Sequence, residues 1–269
     1  MRAGYVLAMA SSPPAKRPAK QPRPRMTLDE TMAELEAAGT AQARKIYARH
    51  GAHEPMFGTS FATLKVLMKR IDVDHELALA LWDTGNFDAR NLAMKIVDSS
   101  RMSSDDLDRW AREASPALSC GSYAAALASE GTLGVEKAIA WRASNDASQN
   151  LCAWSLISQL ALRDVTAPDA FFADLIEAIE RDIHTAPNLL RSNMNRSLIA
   201  IGCRNEALRA LALAAADRIG PVEVDHGDTS CETPDARSSI EKTWAHALAK
   251  GFGSPAAQER KRDLPRRRC

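Results

Sequence analysis

The chain has 269 residues with a net charge of +1; 45% of the residues are hydrophobic and 26% are charged, which is ordinary for a globular protein. No apolar run approaches the roughly 20 residues of a membrane span. The five cysteines form no CxxC pair, which argues against a disulfide framework and a zinc knuckle, so we expect a cytoplasmic protein without membrane contacts.

The charge is distributed unevenly. Residues 1–26 carry +6 with no acid, and their five prolines forbid a regular helix, which predicts a disordered basic N-terminal tail. Residues 251–269 carry +4 and predict a disordered basic C-terminal tail. Because the whole chain carries +1, residues 27–250 carry −9. Basic tails can hold nucleic acid without reading its sequence, although a role in solubility or spacing explains them equally well.

The predicted helices begin at Thr27, which forms a capping-box signature with Glu30. A second helix spans residues 40–50, and residues 57–102 predict three more. The first of these three has an apolar stripe at steps of three and four residues, the second spans 75–82, and the third begins near Asn86. The stripe consists of Phe57, Phe61, Leu64, Leu67, Met68 and Ile71.

The remainder of the chain continues the helical pattern. Low aromatic content, 5%, and abundant alanine and leucine favour helix, and only residues 221–224 look extended. Helix pairs recur about every 35 to 45 residues, so we predict an all-α solenoid of HEAT-like repeats over residues 27–250. Further helices are predicted over residues 103–112, 117–128, 135–143, 149–162, 168–183, 187–201, 205–219 and 238–250.

Residues 220–236 have no helical period and are rich in metal-ligand side chain types. A metal or enzymatic site centred on His226 is one explanation, because imidazole beside carboxylates handles protons well. A rigid loop whose carboxylates cap neighbouring helices is the alternative, and the pattern favours it. We expect no metal and no cofactor. The polar side chains are Asp225, His226, Asp228, Cys231, Glu232 and Asp235.

Several segments resemble the DNA alkylation repair family, the AlkD-like HEAT-repeat proteins. They are FGTSFATLKVLMKRI, HELALALWDTGNFDARNLAMKIVD, LDRWAREA, RSNMNRSLIAIG and VEVDHGDTSCETPDA, and LW-x-x-G-x-x-x-A-R is the most distinctive pattern among them. The resemblance covers residues 30–250. It implies helical repeats around a concave groove for duplex DNA, and a glycosylase that removes N3- and N7-alkylated purines.

The resemblance implies that a Trp and an Asp of the family lie against the sugar of the alkylated nucleotide, and that an Arg holds the DNA backbone. The carboxylate stabilises positive charge as the glycosidic bond breaks. Here Leu118 and Ser122 align with the Trp and Asp, and Leu151, beside Asn150, aligns with the Arg. We therefore leave the catalytic residues unassigned and expect weak or no glycosylase activity.

We predict that a monomeric chain binds duplex DNA, alkylated DNA included, in its groove. A non-catalytic scaffold for protein partners is the competing hypothesis, because solenoids offer extended surfaces and residues 27–250 are acidic. A third hypothesis is an enzyme that uses the polar loop at residues 220–236. Cations outside the apolar stripes are the candidate phosphate contacts, with a solvated helix face as the alternative for each. They are Lys65, Lys69, Arg90, Lys95, Arg191 and Arg196.

Overall fold

A computed structural model describes residues 25–114, 120–227 and 231–267. In these ranges the chain forms fourteen α-helices and two short 3-10 turns, Ser99–Arg101 and Pro265–Arg267. The predicted all-α class is confirmed. The stretch 221–224, which looked extended in the sequence, is irregular and joins no strand. None of the helices in the described ranges has the length and apolar character needed to cross a membrane.

The helices follow the predicted order closely. The first seven are α1 (Leu28–Ala37), α2 (Ala41–Arg49), α3 (Phe61–Ile71), α4 (His75–Asp83), α5 (Phe87–Ile96), α6 (Ser104–Glu113) and α7 (Cys120–Glu130). The next seven are α8 (Gly134–Arg142), α9 (Ala147–Arg163), α10 (Asp169–Asp182), α11 (Asn188–Gly202), α12 (Glu206–Ile219), α13 (Ala236–Ala249) and α14 (Pro255–Glu259). The predicted N-cap at Thr27 is present with its complete capping box.

α3 begins at Phe61 and not at residue 57 as predicted. Ser60 caps it by accepting a hydrogen bond from the Thr63 N–H. The preceding loop is held instead by the buried Asp88 carboxylate, which accepts hydrogen bonds from the N–H groups of residues 57, 58 and 59 at 2.7 to 3.0 Å. Burial raises the pKa of Asp88, and the three donors oppose that rise. A long-range polar contact therefore replaces the first helical turn.

The helices form two layers. In the inner layer, α3, α5, α7, α9, α11 and α13 each pack against the next helix of the same layer. In the outer layer, α4, α6, α8, α10 and α12 cover one side of that row. A helix of this kind buries its apolar stripe only when its neighbours are in place, which is the packing logic of a solenoid. The side of the inner layer that faces away from the outer helices is called the inner face below.

The chain does not end at α13. Residues 251–267, called the C-terminal segment below, turn back across the inner face. α14 packs on α9 and α13, and the Pro265–Arg267 turn packs on α5 and α7. Ala256 donates its N–H to the Cys203 carbonyl at 3.1 Å. The prediction of a disordered tail from residue 251 onward is therefore wrong for residues 251–267; residues 1–24, 268 and 269 lie outside the described residues.

Arg266 anchors the C-terminal segment and is only 3% exposed. Its Nε donates to both carboxylate oxygens of Glu130 at 2.9 and 2.8 Å, and its Nη1 donates to the Met94 carbonyl at 2.8 Å. The buried Lys95 ammonium donates to the Arg266 carbonyl at 3.0 Å. Burial raises the pKa of the Glu130 carboxyl, and the Arg266 charge opposes that rise. The basic composition of this end of the chain thus includes a residue that belongs to the core.

We expect Arg266→Ala to lower the free energy of unfolding by about 3 to 5 kcal/mol, because it leaves Glu130 as an uncompensated buried charge. Urea denaturation of the full chain measures the change. Arg262→Ala, which removes an exposed cation paired with Glu259 at 3.3 Å, serves as the control and should cost less than about 1 kcal/mol.

The same measurement at lower pH tests the cause. Without Arg266, the folded-state pKa of Glu130 lies above its unfolded value, so stability is lost as pH rises through the folded pKa and returns below about pH 4.3. A deficit that is the same at acid and neutral pH would contradict a role for the Glu130 charge.

Candidate nucleic-acid interface

The inner face is hollowed along α7, α9, α11 and α13. Two adjoining hollows of about 400 and 470 Å³ share the side chains of Ser122, Ser155, Asn193 and Arg196 in their linings. We call this pair of hollows the central groove. Hydroxyl and amide groups are prominent in its lining, so it offers hydrogen bonds to a polar ligand along most of its length.

Helical spacing explains why these side chains meet. On α9 and α11 the lining residues recur at steps of three and four, which places them on one face, while the other faces of both helices are buried and mostly apolar. A stripe of small polar residues on an otherwise apolar helix is therefore the signal of this groove, and the residue-pattern predictions did not use it. The groove-lining residues are Ser148, Leu151, Cys152, Ser155, Ser158, Gln159 and Leu162 on α9, and Leu189, Ser192, Asn193, Arg196, Ile199 and Ala200 on α11.

Arg196 is the cation best placed to bind a ligand in the groove. It is exposed, it lines both hollows, and its guanidinium makes no hydrogen bond or ion pair with any of the described residues. A guanidinium offers five N–H donors in a planar fork that matches a phosphate. Arg196 is thus a preformed anion contact at the centre of the inner face.

Three of the ionisable groups around the groove are occupied or unreactive, and its lining also includes His246, Cys152, Cys231 and Glu232. Glu259 accepts from Arg163 and Arg262, both at 3.3 Å. His226 shares a hydrogen bond with Thr233 at 3.0 Å. Burial raises the pKa of the Cys203 thiol to about 12, so it stays protonated and is a poor nucleophile. Cys203 therefore supplies no nucleophile to the groove.

Lys65 and Lys69 lie outside the central groove. They line a separate hollow of about 930 Å³ between α3 and the C-terminal segment, together with Arg163, Arg262 and Arg267. We call this hollow the tail cleft. Lys65 is half-buried and Lys69 is exposed. The structure thus brings these two predicted residues together, and keeps them apart from Arg196.

Arg90 serves the packing of the outer layer. Its Nε donates to the Trp82 carbonyl at 3.2 Å, its Nη2 pairs with Glu113 at 2.9 Å, and its guanidinium lies over the Trp82 ring. Trp82 in turn stacks on Trp110 with ring centroids 4.1 Å apart. The most distinctive pattern of the resemblance, LW-x-x-G-x-x-x-A-R, is therefore a structural unit in this chain.

Lys95 and Arg191 are also engaged internally. Lys95 is completely buried and donates to the Tyr123 hydroxyl at 3.1 Å as well as to the Arg266 carbonyl. Arg191 donates to the carbonyls of Glu223 and Ala186 at 2.8 and 3.0 Å. A buried ammonium cannot reach a phosphate at the surface, so the prediction that Lys95 contacts DNA does not fit the structure. Arg191 is occupied in holding the polar loop at residues 220–236.

The positions that the sequence resemblance aligns with the family's catalytic residues carry no acid. Ser122 is exposed and lines the central groove, and Leu151 lines it as well. Asn150 donates to the Arg142 carbonyl at 2.8 Å. Leu118 lies outside the described residues. In the described part of the groove lining, the carboxylates are Glu259, which is paired, and Glu232.

The polar loop at residues 220–236 caps and ties helices where it is described. Asp235 accepts from the Ser238 N–H and begins α13. Asp225 exchanges two hydrogen bonds with Asn188 at the start of α11, at 2.6 and 2.8 Å. Among the described residues, which exclude 228–230, no group of three or more His, Cys, Asp or Glu side chains is arranged to hold a metal ion.

Comparison with known proteins gives consistent matches. A family model described as "DNA alkylation repair enzyme" matches residues 31–240. The uncharacterized proteins Lmo0209 of Listeria monocytogenes serovar 1/2a and Lin0241 of Listeria innocua serovar 6a are each 27% identical over 224 residues, covering 81% of this chain and 97% of the relative.

A solved structure matches with a TM-score of 0.73 and 32% identity, covering 85% of this chain and 97% of that one. It is described as "a new family of proteins related to the HEAT-like repeat DNA glycosylases with affinity for branched DNA structures". The predicted HEAT-like repeat fold and the predicted family resemblance are both confirmed by these matches.

We expect Arg90→Gln to lower the free energy of unfolding by about 1 to 3 kcal/mol, because Trp82 and Glu113 lose hydrogen bonds to a charged partner. Chemical denaturation measures this loss. If Arg90 also contacted phosphate, the slope of log DNA affinity against log salt would be lower by about one unit in this variant than in the wild type. An unchanged slope is the expected result.

Proposed function

Because this chain belongs to the DNA alkylation repair family, we propose that it is a DNA-binding protein that holds the sugar-phosphate backbone against its central groove. The observation that carries the proposal is Arg196, an exposed guanidinium without a partner among the described residues, surrounded by hydroxyl and amide groups. Hydrogen-bond donors of this kind position a DNA backbone without reading base sequence.

We further propose that branched DNA is a preferred ligand. The supporting comparison is the solved structure at 32% identity, whose family is described as having affinity for branched DNA. The inner face of this chain carries cations in two separate places, around Arg196 and around Lys69, which suits a ligand whose backbones approach from more than one direction.

Charge is consistent with this proposal when it is considered locally. The net charge of −9 on residues 27–250 would repel DNA from an average surface. The C-terminal segment, however, brings its cations onto the inner face, where they lie beside Lys65, Lys69 and Arg163. Attraction would therefore be confined to this face and would weaken steeply with salt.

We propose that binding is not followed by base excision through the family's mechanism. The position that aligns with the catalytic Asp is Ser122, which cannot stabilise a developing positive charge. Loss of one electrostatic group of this kind costs roughly 3 to 4 kcal/mol of transition-state stabilisation. The cation that aligns with the family's Arg is absent as well, because that position is Leu151.

A protein-interaction scaffold remains the second candidate. Leu189 is exposed and lines the central groove, and Val66 is exposed on α3. Apolar side chains on a solenoid surface suit peptide partners. A salt titration separates the two candidates, because a DNA complex loses affinity steeply between 50 and 200 mM salt and a peptide complex does not.

We expect Arg196→Gln to weaken binding to a four-way DNA junction by about tenfold and to lower the slope of log affinity against log salt by about 0.9. Fluorescence anisotropy with the full chain measures both values. Arg112→Gln is the matched control, because Arg112 is exposed on α6 in the outer layer and lines neither the groove nor the tail cleft. Equal behaviour of the two variants would remove Arg196 from the interface.

We expect no release of N7-methylguanine or N3-methyladenine from alkylated duplex DNA under conditions in which the full chain binds that DNA. Chromatographic detection of free base measures release. Release above the spontaneous rate would contradict the proposal and would mean that a carboxylate other than the aligned one stabilises the sugar cation.

A further inference from the structure

We infer that the tail cleft is a second binding site for a DNA backbone, and that the C-terminal segment is the element that completes it. This inference rests on the proposed function and adds a site to it. The cleft is lined by Lys65, Met68 and Lys69 from α3, Arg163 from the end of α9, and Arg262, Asp263, Leu264 and Arg267 from the C-terminal segment.

The cleft has a strong excess of positive charge. Five of its eight lining residues are cations and one is an acid. Two further acids reach these cations from outside the lining, since Glu259 pairs with Arg163 and Arg262, and Asp72 pairs with Arg267 at 2.7 Å. Among the described residues named here, five cations against three carboxylates sum to +2, on a chain whose residues 27–250 carry −9.

The ion pairs of Arg262 and Arg267 do not prevent these two cations from meeting a phosphate, whereas Arg163 is largely buried against Glu259. The Arg262 side chain is 53% exposed and its contact with Glu259 is long. Asp72, the partner of Arg267, is largely exposed. Exposed pairs of this type contribute little to stability, so a phosphate can share or replace them at small cost. Lys69 is exposed and makes no hydrogen bond or ion pair with the described residues.

The C-terminal segment holds its cations in place. The Arg266 side chain is buried against Glu130 and Met94, one residue before Arg267. Arg163 donates to the carbonyls of Glu259 and Arg262 at 2.9 and 3.3 Å and so fixes the segment upstream. Because the backbone on both sides of residue 264 is already ordered, binding a strand costs little additional conformational entropy.

The tail cleft is distinct from the central groove but adjoins it. Arg262 lines the tail cleft and one hollow of the groove, so the C-terminal segment lies between the two. Lys69 and Arg267 line only the cleft. These two residues come from opposite walls, one from α3 and one from the C-terminal segment, and their removal therefore tests the cleft without changing the groove.

The test compares the full-length variant Lys69→Gln/Arg267→Gln with the wild type in binding a four-way DNA junction over a range of salt concentrations. We expect the variant to bind about tenfold more weakly or worse, with a salt slope lower by about 1.8, which is the loss of two phosphate contacts. The control variant Arg112→Gln/Lys242→Gln removes two exposed cations that line neither the central groove nor the tail cleft. It should change neither the affinity nor the salt slope.

Several outcomes distinguish the possibilities. If wild-type protein fails to bind the junction, the proposed function fails and the cleft fails with it. If Arg196→Gln weakens binding and Lys69→Gln/Arg267→Gln equals the wild type, only the second site is overturned. Tighter binding by the double variant would also overturn it, because the segment would then be competing with DNA. The single variant Lys69→Gln, which breaks no contact with the described residues, should show about half the change in slope and guards against loss of folding.

Discussion

The buried ion pair between Arg266 and Glu130 holds the C-terminal segment on the inner face of this protein. Its two partners lie 136 residues apart in the chain, and Lys95 and Met94 complete the surroundings of Arg266. A charged residue is expensive to bury unless its partner and hydrogen bonds are all in place. In this protein the partner and the hydrogen bonds of Arg266 are in place, and residues 251–267 form part of the groove wall. The positive charge that residues 251–267 add to the inner face depends on this contact.

The positions of the helices could be predicted because their signals are local. Thr27, Asn86 and Ser103 cap helices through atoms two or three residues away, and apolar side chains recur at helical spacing. The start of α3 was misplaced because Asp88, about thirty residues downstream, binds the loop before it. The C-terminal segment was missed for the same reason, since the basic composition that predicted a disordered tail contains no information about Glu130.

The site was harder to predict than the fold because a cation has the same sequence signature whether or not it is free. Arg196 and Lys69 are exposed, whereas Arg90 is bound to Trp82 and Glu113 and Lys95 is completely buried. Only the tertiary partner distinguishes these cases. The stripe of serine and asparagine on α9 and α11 was the better sequence signal, because small polar residues at helical spacing leave space as well as hydrogen-bonding groups.

The return of the C-terminal segment also changes how the array folds. Repeat proteins usually make contacts only between neighbouring repeats, so they can fray and fold one repeat at a time. In this chain residues 265–267 contact α5 and α7, which adds contacts of very large sequence separation. Such contacts raise the contact order, slow folding and couple distant repeats into one cooperative unit. The array therefore reaches its final cooperativity only after residues 265–267 have been synthesised and have docked on α5 and α7.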